Sequence, residues 1–320
     1  MTSDDWLSVH VHYHGDLDRL LREAVRPLIA ETGHEHFFVR HWQGGPHLRL
    51  RLRPAVPTTA ALIEGHVGGF LTAHPSTRPV TETDYRAAAS SLLTVEPGHD
   101  RAEPLVPDNT IQPRPYHPEY ARYGGTAAAM RAVERHFTAS SELVLRMLAD
   151  DGAAGRRTGS ALTMMLTAAM VAAGGPDRLT GHLGDRQRNW GRRLMSGVPD
   201  DAEGWFEAKY QRQRHTLVRT VEQVMELVES GATDRAGPAL ADWATSVITL
   251  RDELTGLRRT GGFTPTEVFM ADDGDDADLR SVLLFCSHMH NNRLGVSLPE
   301  EAYLMYLLWR AVAEVTRSAR

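Results

Sequence analysis

Three arginine-bearing segments and one histidine give this chain residues able to hold an anion and move a proton. In HFFVRHWQGGPHLRLRLRP, residues 36–54, Arg49 and Arg51 alternate with Leu48, Leu50 and Leu52. Successive side chains along a strand point to opposite faces, so the two arginines project together, about 6.6 Å apart at a rise of about 3.3 Å per residue. Such a pair suits a carboxylate or a developing enolate, because arginine stays charged and offers a rigid fork of donors. Arg122 stands immediately before Tyr123, Gly124 and Gly125, where glycine permits a tight turn or a close backbone approach. It either clamps a ligand or pairs with Glu119. His288 opens the run His288-Met289-His290-Asn291-Asn292-Arg293. Its ordinary pKa makes histidine a proton carrier near neutrality, and Arg293 is close enough in sequence to reach the same region. A packed histidine and a solvated arginine face are the plain alternatives.

Other chemistries find less support. Sixteen histidines invite a metal, and His10, His12 and His14 share one face of a strand, but no motif supplies a fourth ligand and HExxH and CxxC are absent. Neither a phosphate-binding glycine loop nor a GxSxG elbow occurs. Cys286 is the lone cysteine, which rules out an intrachain disulfide or a thiolate cluster. A net charge of −6 argues against wholesale nucleic-acid binding, though not against a local anion site. No metal and no tightly bound organic cofactor are expected.

The elements that must position these residues are predicted as follows. Trp6 to His14 reads as a strand, Asp16 to Ala30 as a helix that Pro27 kinks or ends, Phe37 to Val39 and His47 to Arg53 as strands about the Gln43–Pro46 turn, and Ala60 to Ala73 as a helix capped by Thr58 or Thr59. One more strand, in Ala87 to Val95 or Thr110 to Tyr116, completes a split βαβ sheet. Glu96 to Pro118 reads as a long ordered loop. Helices follow at Ala127 to Asp150, Ser160 to Ala173, Trp205 to Ser230, Ala239 to Arg258 and Glu300 to Val315, with Ser281 to Gly295 a helix or a strand. Leu143, Leu145, Leu148 and the run from Leu162 to Leu166 read as core, Arg186 to Arg193 as a solvated basic face, and Ala271 to Asp278 as an acidic loop. The expected class is α+β, with a sheet-containing region at 1–118 and a mainly helical region at 119–320 packed together as one functional unit. No apolar run is long enough to span a bilayer, and a cytoplasmic protein with no membrane partner is expected.

Taken jointly, Trp6 with the first strand, FFVRHWQGGPHLRLRLRP, YHPEYARYGGTAAAMRAVERHF followed by SSELVL, and SHMHNNRLG resemble the C-terminal elimination domain of class I lantibiotic dehydratases and its stand-alone relatives in thiopeptide biosynthesis. The resemblance implies chemistry on a ribosomal precursor peptide (RiPP) bearing a leader. A separate tRNA-dependent glutamylation enzyme esterifies serine or threonine, and the elimination domain expels glutamate to leave dehydroalanine or dehydrobutyrine. Carried over residue by residue, it makes Arg49, with Arg51 as its close alternative, and Arg122 the cations that bind glutamate and steady the enolate, and His288 the proton-transfer residue. Tyr123, His290 and Arg293 are further candidates for substrate binding. It also implies a leader held along a sheet edge, at the first strand or the opposite side. Two alternatives stand beside this lyase reading. One is a thiopeptide cyclase that joins two dehydroalanines by a formal [4+2] cycloaddition with leader loss, suited by the histidine-rich opening and His41-Trp42-Gln43. The other is a non-catalytic holder of the precursor. A homodimer is compatible with all three.

Overall fold

The computed structural model describes residues 6–95, 101–149, 152–187, 202–267 and 276–318. The chain divides into two compact units, Met1–Pro118 with Ser140–Ala153, and Glu119–Ala139 with Ala154–Arg320. The class is α+β, with a small antiparallel sheet near the N-terminus and helices thereafter. Among the described residues no single helix is long and apolar enough to cross a membrane.

In the first unit, β1 (Leu7–His12), β2 (Glu35–His41), β3 (His47–Arg53) and β4 (Thr110–Pro113) lie in the order β2-β3-β1-β4, every neighbour antiparallel. The helical crossover from β1 to β2 passes β3, which is the split βαβ arrangement. The alternation in β3 decides the register. Leu48, Leu50 and Leu52 are fully buried opposite Val11, Val9 and Leu7, while His47, Arg49 and Arg51 face His12, His10 and Ser8. Each buried leucine stabilises by about 1.5–3 kcal/mol, and a slip of one residue would turn the arginines into the core.

Several boundaries differ from the sequence expectation. Asp16 does cap the first helix, its Oδ1 accepting from the amides of Asp18 (2.9 Å) and Arg19 (3.2 Å). That helix runs past Pro27 to Thr32, because a wider π turn at Leu21–Val25 precedes the α segment Arg26–Thr32 and leaves the proline in its first turn. Thr58 and Thr59 do not cap the next helix. It begins at Pro57 after Val56, and buried Thr59 instead bonds His34 Nε2 through its hydroxyl at 2.8 Å. Of the two candidate fourth strands, Thr110–Pro113 pairs with β1 and Glu82–Val95 is helical. β1 is therefore an interior strand, paired on both sides, and cannot take a leader along an edge. The edges are β4 and β2, and on β2 the Phe38 amide donates to Ser141 Oγ at 3.2 Å. From residue 101 the proline-rich loop is ordered against the Trp42–Pro46 turn, with Glu103 N on Gln43 Oε1 (2.8 Å) and Val106 N on Gly44 O (2.9 Å); residues 96–100 lie outside the described residues.

The second unit is built from the first part of Ala127–Ala149 together with Ala153–Ala173, Pro176–Arg186, Ala202–Glu229, Pro238–Arg259, Ala277–Leu294 and Leu298–Ser318. Ser281 to Gly295, ambiguous in sequence, is helical, and every residue from Leu279 to Ser287 is buried, which covers all faces of its first two turns. A helix covered all round shows no amphipathic period. Gly295, at φ +83°, ends it. The amides of Gly295 and Val296 return to the carbonyls of Asn292 (3.0 Å) and Asn291 (2.9 Å), a Schellman closure. Ser297 and Glu300 then form a capping box, Ser297 N donating to Glu300 Oε2 at 2.8 Å. These two devices turn the chain sharply and bring Glu301, in the first turn of Leu298–Ser318, to His288, while that helix packs along Ala202–Glu229 and Pro176–Arg186. Residues 188–193 of the basic segment and 271–275 of the acidic loop lie outside the described residues.

Candidate functional site

On the polar face of the sheet, the three arginines of β3 have different surroundings. Arg53 pairs with Glu35 and lies over Trp6, 4.4 Å from the ring centre. Arg51 is buried, its guanidinium 5.8 Å from the Phe37 ring and 5.5 Å from that of Tyr116. Arg49 is half-buried, and its Nε donates to His47 Nε2 at 3.2 Å. His47 Nδ1 sits 2.9 Å from the Gly45 carbonyl, which can only accept. Nδ1 therefore carries the hydrogen and Nε2 the lone pair, the neutral tautomer that can receive Arg49. Burial holds the His47 pKa down to about 3, with His12, Arg49 and Arg51 adding to the effect. His10 and His12 are likewise lowered, to about 2 and about 4, chiefly by burial. Their rings and that of His47 are packed at 4.5–6.4 Å between centres, so this face carries arginine charge among neutral imidazoles.

The strand that was to align His10, His12 and His14 ends at His12. His14 instead accepts from Val80 N at 3.1 Å through Nδ1, while its own amide donates to Asp108. Among the described residues no three or more histidine, cysteine or acidic side chains are grouped to hold a metal.

In the second unit, Arg122 and Tyr123 are set by a tight loop docked on the segment 262–267. Gly124 O accepts from Thr264 N at 2.8 Å, Ala121 O from Thr266 N at 2.9 Å, and Gly262 O from Thr126 Oγ1 at 2.6 Å. Thr126 Oγ1 also accepts from Ala129 N at 3.1 Å and so starts the Ala127–Ala149 helix. Arg122 bonds Glu119 (2.5 Å) and more loosely Glu267 (3.4 Å), both carboxylates about half exposed. The pairing with Glu119 that the sequence allowed for Arg122 is present.

Phe285 gathers three of the predicted residues. Arg122 lies 4.9 Å from its ring centre, and the rings of Tyr123 and His288 lie at 5.7 and 5.5 Å. Tyr123 is buried, which pushes its hydroxyl pKa well above the ordinary value. Its ring also meets Phe137 at 5.2 Å, over which Arg293 stacks at 4.5 Å. His288 keeps a partly exposed side chain, and its Nδ1 is 2.7 Å from Glu301 Oε2, a carboxylate only 1% exposed. His290 and Arg293 have no exposed surface. His290 packs on Trp243 at 4.2 Å with Nε2 3.0 Å from Met164 Sδ. Within this unit Arg122, Tyr123 and His288 thus assemble around one ring, Arg293 reaches Tyr123 through Phe137, and His290 packs on Trp243. Arg49 and Arg51 belong to the other unit.

Glu301, Phe285 and Glu267 were not singled out in the sequence. Glu301 carried a signal: it occupies the apolar stripe of the last helix with Leu304, Met305 and Leu308, all buried. Glu267 carried none, because its approach to Arg122 depends on pairing between two loops.

Buried neutral histidines predict the acid response. Burial first, then the charge of Arg293, lowers His136 and His290 to about 3. A folded pKa below the unfolded 6.5 means that the unfolded chain binds the extra proton. Stability is therefore whole above about pH 6.5 and falls as pH drops toward 3. At pH 5 the loss is about 2 kcal/mol per histidine. Urea midpoints at pH 7.5 and 5.0 measure it, and equal midpoints would contradict it.

The sequence matches the model of the lantibiotic biosynthesis dehydratase C-terminal family over residues 6–312. Among solved structures, the chain is similar to TbtD, a pyridine synthase from thiomuracin biosynthesis, at 22% identity and a TM-score of 0.80, with 98% of this chain and 99% of that one covered. It is similar to TsrL at 20% identity and a TM-score of 0.68, covering 98% and 95%. It is also similar to the tRNA-dependent lantibiotic dehydratase MibB from Microbispora sp. 107891, at 21% identity and a TM-score of 0.56, covering 99% of this chain and 28% of MibB. No curated protein matches. The chain belongs to the lantibiotic dehydratase C-terminal family, a family of enzymes that modify ribosomal peptides.

Proposed function

We propose that this family member removes glutamate from glutamylated serine or threonine in a precursor peptide. The observation that supports the reading best is the grouping of Arg122 and His288 on Phe285, a cation beside an imidazole held through its other nitrogen. His288 Nε2 takes the Cα proton, and the electrons of that bond form the Cα–Cβ double bond. The Cβ–O bond breaks and glutamate leaves as a carboxylate. Negative charge developing on the peptide carbonyl during proton removal needs a fixed cation, the role assigned to Arg122. On the first unit, Arg49, braced by His47, is the anion-binding candidate ahead of Arg51, which lies buried between aromatic rings. The ester is supplied by a separate tRNA-dependent enzyme, and a cytoplasmic setting goes with that partner.

Intact mass spectrometry on a precursor carrying one glutamylated serine tests the reading. Dehydroalanine with one equivalent of free glutamate is expected, and an unchanged ester would overturn it. A finer expectation concerns Arg122, whose charge the carboxylate of Glu119 partly offsets. Glu119→Gln removes that offset, and an exposed ion pair contributes up to about 1 kcal/mol, so kcat for the glutamylated peptide should rise about threefold with KM little changed. An unchanged or lower kcat would contradict the role assigned to Arg122.

A second reading, formation of a six-membered nitrogen ring from two dehydroalanines, is favoured by one observation. On the first unit His41 and Trp42 are half-buried with rings parallel to within 3° at 6.2 Å, beside the His47 ring at 5.3 Å, a platform suited to heteroaromatic rings. Leader loss with ring formation from a multiply dehydrated peptide, in the same assay, would select it.

A further inference from the structure

We infer that Glu301 is the positioning residue of His288, fixing which ring nitrogen carries the hydrogen and presenting Nε2 as the atom that exchanges a proton. The inference rests on the elimination reading only for the reaction it serves. His288 and Glu301 are thirteen positions apart, on different helices, and meet because the Gly295 closure and the Ser297–Glu300 capping box fold one helix end onto the next start.

The chemistry of the contact sets the tautomer. An ionised carboxylate can only accept, so at 2.7 Å from Glu301 Oε2 the His288 Nδ1 must carry the hydrogen. In the neutral imidazole Nε2 is then left with the lone pair that a base requires. Phe285 lies against the ring at 5.5 Å and limits its rotation. A carboxylate buried to 1% exposure is unfavourable unless it is hydrogen-bonded. Its place in an apolar stripe, facing a histidine that keeps some exposure, gives that burial a purpose. Glu300, its sequence neighbour, is spent on the helix cap, so the adjacent glutamates have separate duties.

The test uses the full chain with ¹⁵N-labelled histidine, His288 assigned by the loss of its signals in His288→Asn. The unaltered protein should show a protonated Nδ1 and an unprotonated Nε2 at pH 7.5. In Glu301→Gln the amide can donate to Nδ1, so the hydrogen should move to Nε2, and glutamate release should fall about 10²-fold or more. Glu301→Asp, which keeps the carboxylate one methylene shorter, should retain the Nδ1–H form and recover at least about tenfold over the glutamine variant. A hydrogen on Nε2 in the unaltered protein would overturn the inference. So would a glutamine variant that releases glutamate within about threefold of the parent rate, given that a lost general base contributes about 10²–10⁴. Failure of the elimination reading would look different, with no glutamate released by the unaltered protein. The ring spectra then decide alone: the hydrogen moving to Nε2 in Glu301→Gln upholds the positioning role, and an unmoved hydrogen rejects it.

Discussion

His288→Ala is expected to slow glutamate release about 10³-fold, so that glutamylated precursor persists over times in which the parent protein converts it fully. The size follows from the step. The Cα proton of a peptide is weakly acidic, and Arg122 can stabilise the developing charge only once a base begins to remove that proton. The variant also removes the Nδ1–H that Glu301 holds at 2.7 Å. A carboxylate at 1% exposure that loses such a bond destabilises the fold by about 3 kcal/mol, and unfolding could then pass for lost catalysis. The double variant His288→Ala with Glu301→Gln separates the two, since neutralising the buried carboxylate should restore stability and none of the rate. Single-turnover glutamate release measured beside denaturant unfolding gives both quantities. A His288→Ala protein retaining more than about a tenth of the parent rate would remove this histidine from the mechanism, because general-base catalysis is worth far more than tenfold.

How much of this was legible depended on how far apart in the chain the deciding groups lie. The alternation in His47–Arg53 fixed both faces of β3, because burying three leucines dominates any other register. It could not separate Arg49 from Arg51, which share a face. The difference comes from Phe37 on β2 and from Tyr116 beyond β4, brought beside Arg51 by the fold. His288 and His290 were separable in principle, since two residues on a helix differ by about 200° in direction; one meets Glu301 and the other Trp243. Which direction faced the interior was not readable from a segment apolar on every side. The pairing of Arg122 with Glu119 was visible as a short-range option, whereas Glu267 arrives through backbone bonds to Ala121 that leave no pattern in either segment. Pro27 and the Thr58-Thr59 pair misled for a related reason. Local signals place a break or a cap at the nearest permissive residue, but here a π turn absorbs the proline and a buried bond to His34 draws Thr59 into the helix.

Gly125→Ala should destabilise the protein by about 3 kcal/mol and lower glutamate release about 10²-fold, although Gly125 touches no reacting atom. Part of the cost is conformational: at φ +75° a residue with a Cβ is disfavoured by about 1–2 kcal/mol. The rest is collision, because that Cβ would lie 2.2 Å from the Thr264 carbonyl oxygen and 2.6 Å from Thr264 Oγ1. Thr264 cannot simply retreat. Its amide is bonded to Gly124 O, and the amides of Thr266 and Glu267 are bonded to Ala121 O on the same loop. Relief must therefore shift the loop that carries Arg122, and a displacement of about 1 Å at a positioning group costs about 10²-fold in rate. Gly261→Ala supplies the comparison, since Gly261 has a similar φ of +74° but nothing within 4 Å of an added Cβ. It should show only the conformational cost, about 1–2 kcal/mol, with activity unchanged. Thermal unfolding and kcat/KM for both variants settle the matter. If Gly125→Ala proves no worse than Gly261→Ala in either measure, the packing of this loop on Thr264 does not position Arg122.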